Sequence, residues 1–155
     1  MNKDIEYVRK AIELSKQGEF PYGVVVVKDD QIVGKAVASA DVESYDPTNH
    51  AETLAIRRAC EKLKTSDLTG ATIYSSCEPC FLCFGTIWWA NISNMVYGVG
   101  IENSRSGLEK EIKITAEELN EKTGNKINIR GNVLVNEAVQ VIESWKQKLI
   151  KKECL

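Results

Sequence analysis

Residues 71–99 read ATIYSSCEPCFLCFGTIWWANISNMVYGV and decide the fold. Residues 71–75 predict a short strand, residues 81–89 a helix, and residues 95–99 a further strand. Pro79 suits the first turn of that helix, because proline lacks the amide hydrogen that a first turn leaves without an intrahelical partner. This stretch therefore predicts a strand, a helix and a strand in succession.

The same alternation of strands and helices extends on both sides of this stretch. In chain order, the pattern predicts a helix at 3–17, strands at 24–27 and 32–38, a helix capped by Thr48 or Asn49 that ends at Leu63, a short helix opened by a capping box at 115–118, a strand at 126–130 and a helix at 133–148. A helix lies between the fourth and fifth strands, and such a crossover makes adjacent strands parallel. We predict an α/β fold, a three-layer α/β/α domain with a five-stranded mixed sheet that begins with a hairpin and whose last two strands are parallel.

Length and charge limit the classes of partner. A chain of 155 residues is expected to form a single domain over 1–155, and no run of 18 apolar residues could span a membrane. The first six residues are charged and carry no apolar targeting segment, which favours a cytoplasmic protein. The net charge of −2 offers no basic surface for a nucleic-acid backbone, and the lysines near the C-terminus are typical of a solvated helix end. A small-molecule partner is favoured.

The cysteines point to metal chemistry. Three of the five, Cys77, Cys80 and Cys83, lie within seven residues, which is typical of metal or redox sites rather than of a disulfide framework. An iron–sulfur run would need a fourth cysteine soon after, followed by proline, and none comes. Cys80 and Cys83 are three residues apart on one predicted helical face, and His50 is the chain's single histidine. Imidazole and thiolate are ligands that zinc prefers.

Glu52 lies two residues after His50 and suits proton transfer at such a site. A catalytic zinc keeps three protein ligands and lowers the pKa of its water to about 7, so that a nucleophile is available at neutral pH. A carboxylate that does not bind the metal can carry protons between that water and a substrate. The alternative is a closed structural zinc site with Cys77 as fourth ligand. Cys77 precedes Pro79 in the strand-to-helix turn, and a closed site would leave Glu52 nothing to activate.

Three segments carry a family resemblance: FPYGVVVV at 20–27, DPTNHAE at 46–52 and SCEPC at 76–80. H-x-E followed by P-C-x-x-C is the signature of zinc deaminases. Over roughly residues 5–100 the chain resembles the cytidine-deaminase-like superfamily, within the branch of guanine deaminases, cytosine deaminases and tRNA adenosine deaminases. The resemblance implies one zinc ion per chain held by His50, Cys80 and Cys83, with Glu52 as the proton shuttle. It also implies that the backbone near Ala51 and Cys80 contacts the substrate, and that the protein is a homodimer.

Position 39 departs from the family pattern. Purine-acting members carry an asparagine eleven positions before the zinc histidine, whereas this chain has Ser39. A hydroxyl lacks the paired donor and acceptor of an amide. Either the ring is held differently, with Ser39 and Asp41 as the candidate contacts, or the substrate is not a standard purine.

Aromatic side chains are further candidates for the pocket. Phe20 and Tyr22 are candidates to stack on a flat substrate, and Trp145, in register with Val141, Ile142 and Leu149, is predicted to have a packing role. Of the adjacent Trp88 and Trp89, one is predicted to lie in the core and the other at an interface or in solvent, because neighbouring residues on a helix point in different directions.

The predicted function is hydrolytic deamination of a small amino-substituted nucleobase or nucleoside. A guanine-like substrate is favoured because the segment 76–80 is closest to that branch. Two alternatives remain: adenosine-to-inosine editing of tRNA, and a zinc-stabilised binding module without turnover. The first would bind RNA, and the second would release no ammonia from any base.

Overall fold

The computed structural model describes residues 2–38, 46–104 and 112–153. Over these residues the chain forms, in order, α1 (Lys3–Ser15), β1 (Gly23–Lys28), β2 (Gln31–Val37), α2 (Ala51–Leu63), β3 (Thr72–Cys77), α3 (Phe81–Trp89), β4 (Asn94–Val99), α4 (Ile101–Ser104), α5 (Ala116–Lys122), β5 (Asn128–Arg130) and α6 (Val135–Glu153). No helix in this part of the chain combines the length and the apolar composition that crossing a membrane requires.

The strands form one mixed sheet in the order β2-β1-β3-β4-β5. β1 is antiparallel to both β2 and β3, so the first two strands are a hairpin as predicted. β3 and β4 are parallel, and β4 and β5 are parallel with Val96 opposite Arg130. The prediction of a five-stranded mixed sheet with its last two strands parallel is therefore confirmed.

The valines of β1 point alternately into the cores on the two faces of the sheet. Side chains alternate along a strand, so Val24 and Val26 pack in the core beneath α2, α3 and α5, while Val25 and Val27 pack in the core beneath α1 and α6. A strand with a helical layer on each face is apolar throughout instead of alternating with polar residues. The two separate cores confirm the three-layer architecture.

Three predicted helix starts are wrong, and two of them lie at the candidate metal ligands. α2 is capped by His50 and not by Thr48 or Asn49, because Thr48 bonds to Asp46 instead. α3 is capped by Cys80, so Pro79 lies before the helix and not in its first turn. Elsewhere the local signals hold: Thr115 and Glu118 form the predicted capping box of α5. The last helix begins at Val135 and not at residue 133.

A hydrogen-bonded ion pair joins α1 to the edge strand β5. Arg130 Nε and Nη2 donate to the two carboxylate oxygens of Asp4 at 2.6 and 3.1 Å, and the Tyr74 hydroxyl donates to Asp4 at 3.3 Å. The hydrogen bond from Arg130 lowers the pKa of Asp4. Burial, followed by the charge of Asp4, raises the pKa of Tyr74 to about 12. This pair connects the first helix to a strand that follows it by more than a hundred residues.

Asp4→Asn is expected to lower the free energy of unfolding at pH 7 by about 1–2 kcal/mol, a range discounted because Arg130 is partly exposed. The folded-state pKa of Asp4 is lowered, so the stabilisation is present above the unfolded pKa of about 3.9 and is lost as the pH falls through the folded-state value. Urea unfolding of both proteins from pH 7 down to about pH 3 should show the difference closing.

Asp30→Asn is the matched control, because Asp30 forms an exposed ion pair with Lys3, which lies on the same helix as Asp4. It should leave the unfolding midpoint unchanged. A difference between Asp4→Asn and the wild type that is as large at low pH as at pH 7 would contradict an ionic origin.

Candidate active site

The candidate site lies where two helices begin at the sheet. α3 follows the carboxyl end of β3 after three residues, and α2 begins directly after His50. In α/β sheets, clefts at the carboxyl ends of strands commonly hold ligands. Cys80 and Cys83 come from the start of α3 and His50 from the start of α2, so two helix N-termini and three metal-binding side chains meet at one place.

The three ligand atoms have the spacing of a tetrahedral zinc site. Cys80 Sγ and Cys83 Sγ are 3.5 Å apart, and His50 Nδ1 lies 3.6 Å from the first and 3.4 Å from the second. Zinc bonds of about 2.3 Å to sulfur and about 2.0 Å to nitrogen at tetrahedral angles would separate the sulfurs by about 3.8 Å and each sulfur from nitrogen by about 3.5 Å. The residues present therefore fit the metal, with Nδ1 as the histidine ligand.

Neither α2 nor α3 has a side-chain cap at its N-terminus. His50 and Cys80 occupy the N-cap positions of α2 and α3, yet neither makes a side-chain capping hydrogen bond. N-cap positions favour serine, threonine, aspartate or asparagine, whose oxygens accept from the first-turn amides. Here the two side chains meet each other instead. The positive ends of both helices are thus directed at thiolates, whose negative charge they favour.

Glu52 is buried beside the metal ligands. Its carboxylate is 6% exposed, with Oε2 3.2 Å from Cys83 Sγ and Oε1 3.5 Å from the Ser75 hydroxyl. Burial, and next the charge of Cys80, raises the pKa of Glu52. The hydrogen bond with Cys80, together with burial, raises the pKa of Cys83. One oxygen of Glu52 therefore faces the metal site while a strand residue holds the other.

A hydrogen-bonded turn fixes the chain before His50. Asp46 Oδ1 accepts from the backbone amide and the hydroxyl of Thr48, and Arg57 of α2 donates to the Thr48 hydroxyl at 3.0 Å. The Thr53 hydroxyl donates to the carbonyl of His50 at 2.9 Å. The backbone on both sides of the imidazole is thereby held in place.

Cys77 lies in the other core. Its side chain is buried among Tyr74, Val96 and Val99 on the face covered by α1 and α6. The metal-ligand group found among the described residues consists of His50, Cys80 and Cys83, without Cys77. A three-ligand group leaves one tetrahedral position for water or substrate, as in catalytic zinc sites. This placement opposes the alternative of a closed site with Cys77 as fourth ligand.

The aromatic candidates lie in different parts of the structure. Phe20 packs its ring against Trp145, with centroids 5.8 Å apart, in a groove between α1 and α6, the helical layer opposite α2 and α3. The stacking of Phe20 on the substrate stays a prediction. Trp145 is only partly buried and belongs to neither core; it packs on Phe20 and donates from Nε1 to the carbonyl of Glu19 at 2.6 Å. Trp88 packs against the core and Trp89 is 78% exposed, as predicted for adjacent residues.

Only two of the remaining predicted substrate contacts lie within the described residues. Ala51 and Cys80 are both buried at the helix starts beside the metal ligands. Ser39 and Asp41 lie outside the described residues. Sequence reasoning missed Ser75 and Glu78, two buried polar residues close to the site. The available signal for Ser75 was its place in a strand just before the cysteine cluster, whereas the partners of Glu78 lie too far along the chain to be read locally.

Comparison with protein families agrees with this geometry. The family model for the cytidine and deoxycytidylate deaminase zinc-binding region matches residues 1–99. This range includes all three candidate ligands and Glu52.

Three curated relatives differ in their described activities. A tRNA-specific adenosine deaminase of Buchnera aphidicola is 34% identical, over 97% of this chain and 94% of its own length. A probable cytosine deaminase of Schizosaccharomyces pombe is 31% identical, over 88% of each chain. A guanine deaminase of Bacillus subtilis is 35% identical, over 72% of this chain and 78% of its own. The relatives thus share the chemistry and differ in substrate.

A solved structure supports the fold. The guanine deaminase of Nitrosomonas europaea superimposes with a TM-score of 0.81 at 19% identity, over 92% of this chain and 84% of that one.

Proposed function

Since this chain belongs to the family of zinc-binding cytidine and deoxycytidylate deaminases, we propose that it deaminates a small amino-substituted nucleobase or nucleoside, with guanine-like bases favoured. The family makes it a zinc-dependent hydrolase of C–N bonds. The observation that carries the proposal is the three-ligand group of His50, Cys80 and Cys83 beside the buried carboxylate of Glu52.

His50, Cys80 and Cys83 would hold the metal through Nδ1 and the two Sγ atoms. Bound zinc acts as a Lewis acid that lowers the pKa of water to about 7. The N-termini of α2 and α3 favour the negative charge of the two thiolates and of groups that gain charge during the reaction.

Glu52 has the position of a proton carrier. Its Oε2 faces the ligand group and would take one proton from the attacking water and pass it to the ring nitrogen. It would then carry a second proton from the newly added hydroxyl to the amine, which leaves as ammonia when the C–N bond breaks. Its Oε1 accepts from Ser75, which orients the carboxylate. The buried backbone at Ala51 and Cys80 would contact the substrate ring from the starts of α2 and α3. Ser39 or Asp41 would supply a further contact to the ring.

A screen for ammonia release tests this function directly. Guanine, cytosine, adenine, their nucleosides, pterins and aminotriazines would each be incubated with the zinc-loaded protein, with Glu52→Gln as the baseline. We expect release from a guanine-like base. Release from none of the compounds would instead support a binding module without turnover.

Editing of tRNA is the second candidate. Two observations favour it: a tRNA-specific relative aligns with 97% of this chain, and Lys148, Lys151 and Lys152 are exposed on α6 with no carboxylate partner in the described part of the chain. Filter binding with total tRNA at increasing salt separates the two. Affinity for an RNA backbone falls steeply with salt because counterions are released on binding. Steep salt-dependent binding would favour editing, and its absence supports the small-base proposal.

A homodimer is the assembly we propose. Among the described residues, Trp89 is the most exposed of the large apolar side chains, and Phe81 on the same helix is about half exposed. Exposed aromatic residues on one helix are typical of an interface core. Sedimentation velocity of the purified protein would give the mass of two chains if this is correct.

A further inference from the structure

Glu78 is a buried carboxylate that joins three separate parts of the chain. It lies between β3 and Pro79 and is 2% exposed. Its Oε2 accepts a hydrogen bond from the Ile101 amide and its Oε1 from the Ala116 amide, both at 2.7 Å. Its own amide donates to the carbonyl of Val99 at 2.8 Å. The mechanism described above uses none of these contacts.

The contacts of Glu78 meet at the turn that carries the metal ligands. Cys80 follows Glu78 by two residues, and Cys83 lies on the first turn of α3. Ile101 and Ala116 are themselves buried, so their amides have no access to solvent if the carboxylate is removed. Hydrogen bonds to an ionised acceptor are stronger than neutral ones, and a buried amide without a partner costs about 1–3 kcal/mol.

We infer that Glu78 is a positioning residue, which fixes the turn at Pro79 and Cys80 against the backbone at Ile101 and Ala116 and so sets the geometry of the two thiolate ligands. The carboxylate is not a member of the metal-ligand group found among the described residues. It acts by restraining the two residues that lead into α3. Because the inference concerns the metal site, it does not depend on which base is the substrate.

Glu78→Gln tests the inference with little change in size. The amide keeps one acceptor but turns its NH₂ group towards a backbone N–H. Competition with a chelator should show zinc bound about 10–100-fold more weakly, the range found for residues that orient metal ligands. The cobalt(II)-loaded protein should show altered thiolate-to-metal absorption, since that band reports the geometry at Cys80 and Cys83.

Tyr97→Phe is the matched control. The Tyr97 hydroxyl donates to Glu117 at 2.9 Å and lies in the field of the Glu78 charge, so this change releases the start of α5 while both backbone amides that donate to Glu78 stay in place. We expect wild-type zinc affinity and cobalt absorption from it, even if its melting temperature falls. Equal weakening of zinc binding in both variants would overturn the inference, as would a Glu78→Gln protein with only a lowered melting temperature.

Ala116→Pro covers the case in which Glu78→Gln does not fold. Proline fits the first position of α5, removes a single donor to Glu78 and leaves the carboxylate in place. Zinc binding should weaken in the same direction, by less than in Glu78→Gln. Unchanged zinc affinity and cobalt absorption in Ala116→Pro would contradict the role of this hydrogen bond.

Discussion

Glu52→Gln is expected to lower turnover by about 10²–10⁴-fold while zinc content stays near one per chain. Glutamine has nearly the same shape and can still accept from the Ser75 hydroxyl, so the buried pocket stays filled. What is lost is the oxygen at the Oε2 position that can take up and release a proton beside the ligand group. The measurement is kcat for ammonia release on the best substrate of the screen, together with metal analysis of the same sample.

Glu61→Gln is the control for this substitution. Glu61 lies on the same helix as Glu52 but is exposed, so its change should leave kcat within about twofold of wild type, as for most surface substitutions. Two results would refute the role given to Glu52. If Glu52→Gln loses zinc, the residue is a ligand or a structural support, and if kcat is unchanged, another group carries the proton.

The features set by local pattern could be predicted from the sequence. The hairpin, the alternation of strands and helices and the capping box at Thr115 depend on residues close in the chain. The metal group could also be predicted, because zinc restricts its ligands to few residue types and His50 is the single histidine. The starts of α2 and α3 were misplaced because the metal site occupies their N-cap positions. Rules for N-cap residues describe side chains that accept from the first-turn amides, whereas the side chains of His50 and Cys80 belong to the metal-ligand group.

The parts that could not be predicted depend on contacts between distant residues. The adjacency of β1 and β3 joins residues about fifty positions apart, and the continuous valine run of β1 does not indicate which valine faces which core. The contact between the rings of Phe20 and Trp145 likewise joins the segment before β1 to the last helix. Glu78 could be read only as part of a motif, since its partners are Ile101 and Ala116.

The same substitution at two neighbouring cysteines should have opposite effects on the metal. Cys80→Ser is expected to lose zinc and to reduce turnover to the background of the assay, because it removes one of three ligands whose atoms lie 3.4–3.6 Å apart. A neutral hydroxyl replaces a thiolate that zinc prefers, and two remaining ligands are too few for a stable site. Zinc per chain would be measured after dialysis against a chelator.

Cys77→Ser should keep zinc near one per chain and retain turnover, although Cys77 is as close to Cys80 in the sequence as Cys83 is. Its side chain is buried on the α1 and α6 side of the sheet, where a hydroxyl in apolar surroundings costs about 1–3 kcal/mol of stability. The variant should therefore melt earlier than wild type with its metal still bound. Loss of zinc from Cys77→Ser at temperatures where the protein remains folded would mean that Cys77 is a fourth ligand. The site would then be closed, with no position left for water, and the assignment of a catalytic zinc would fail.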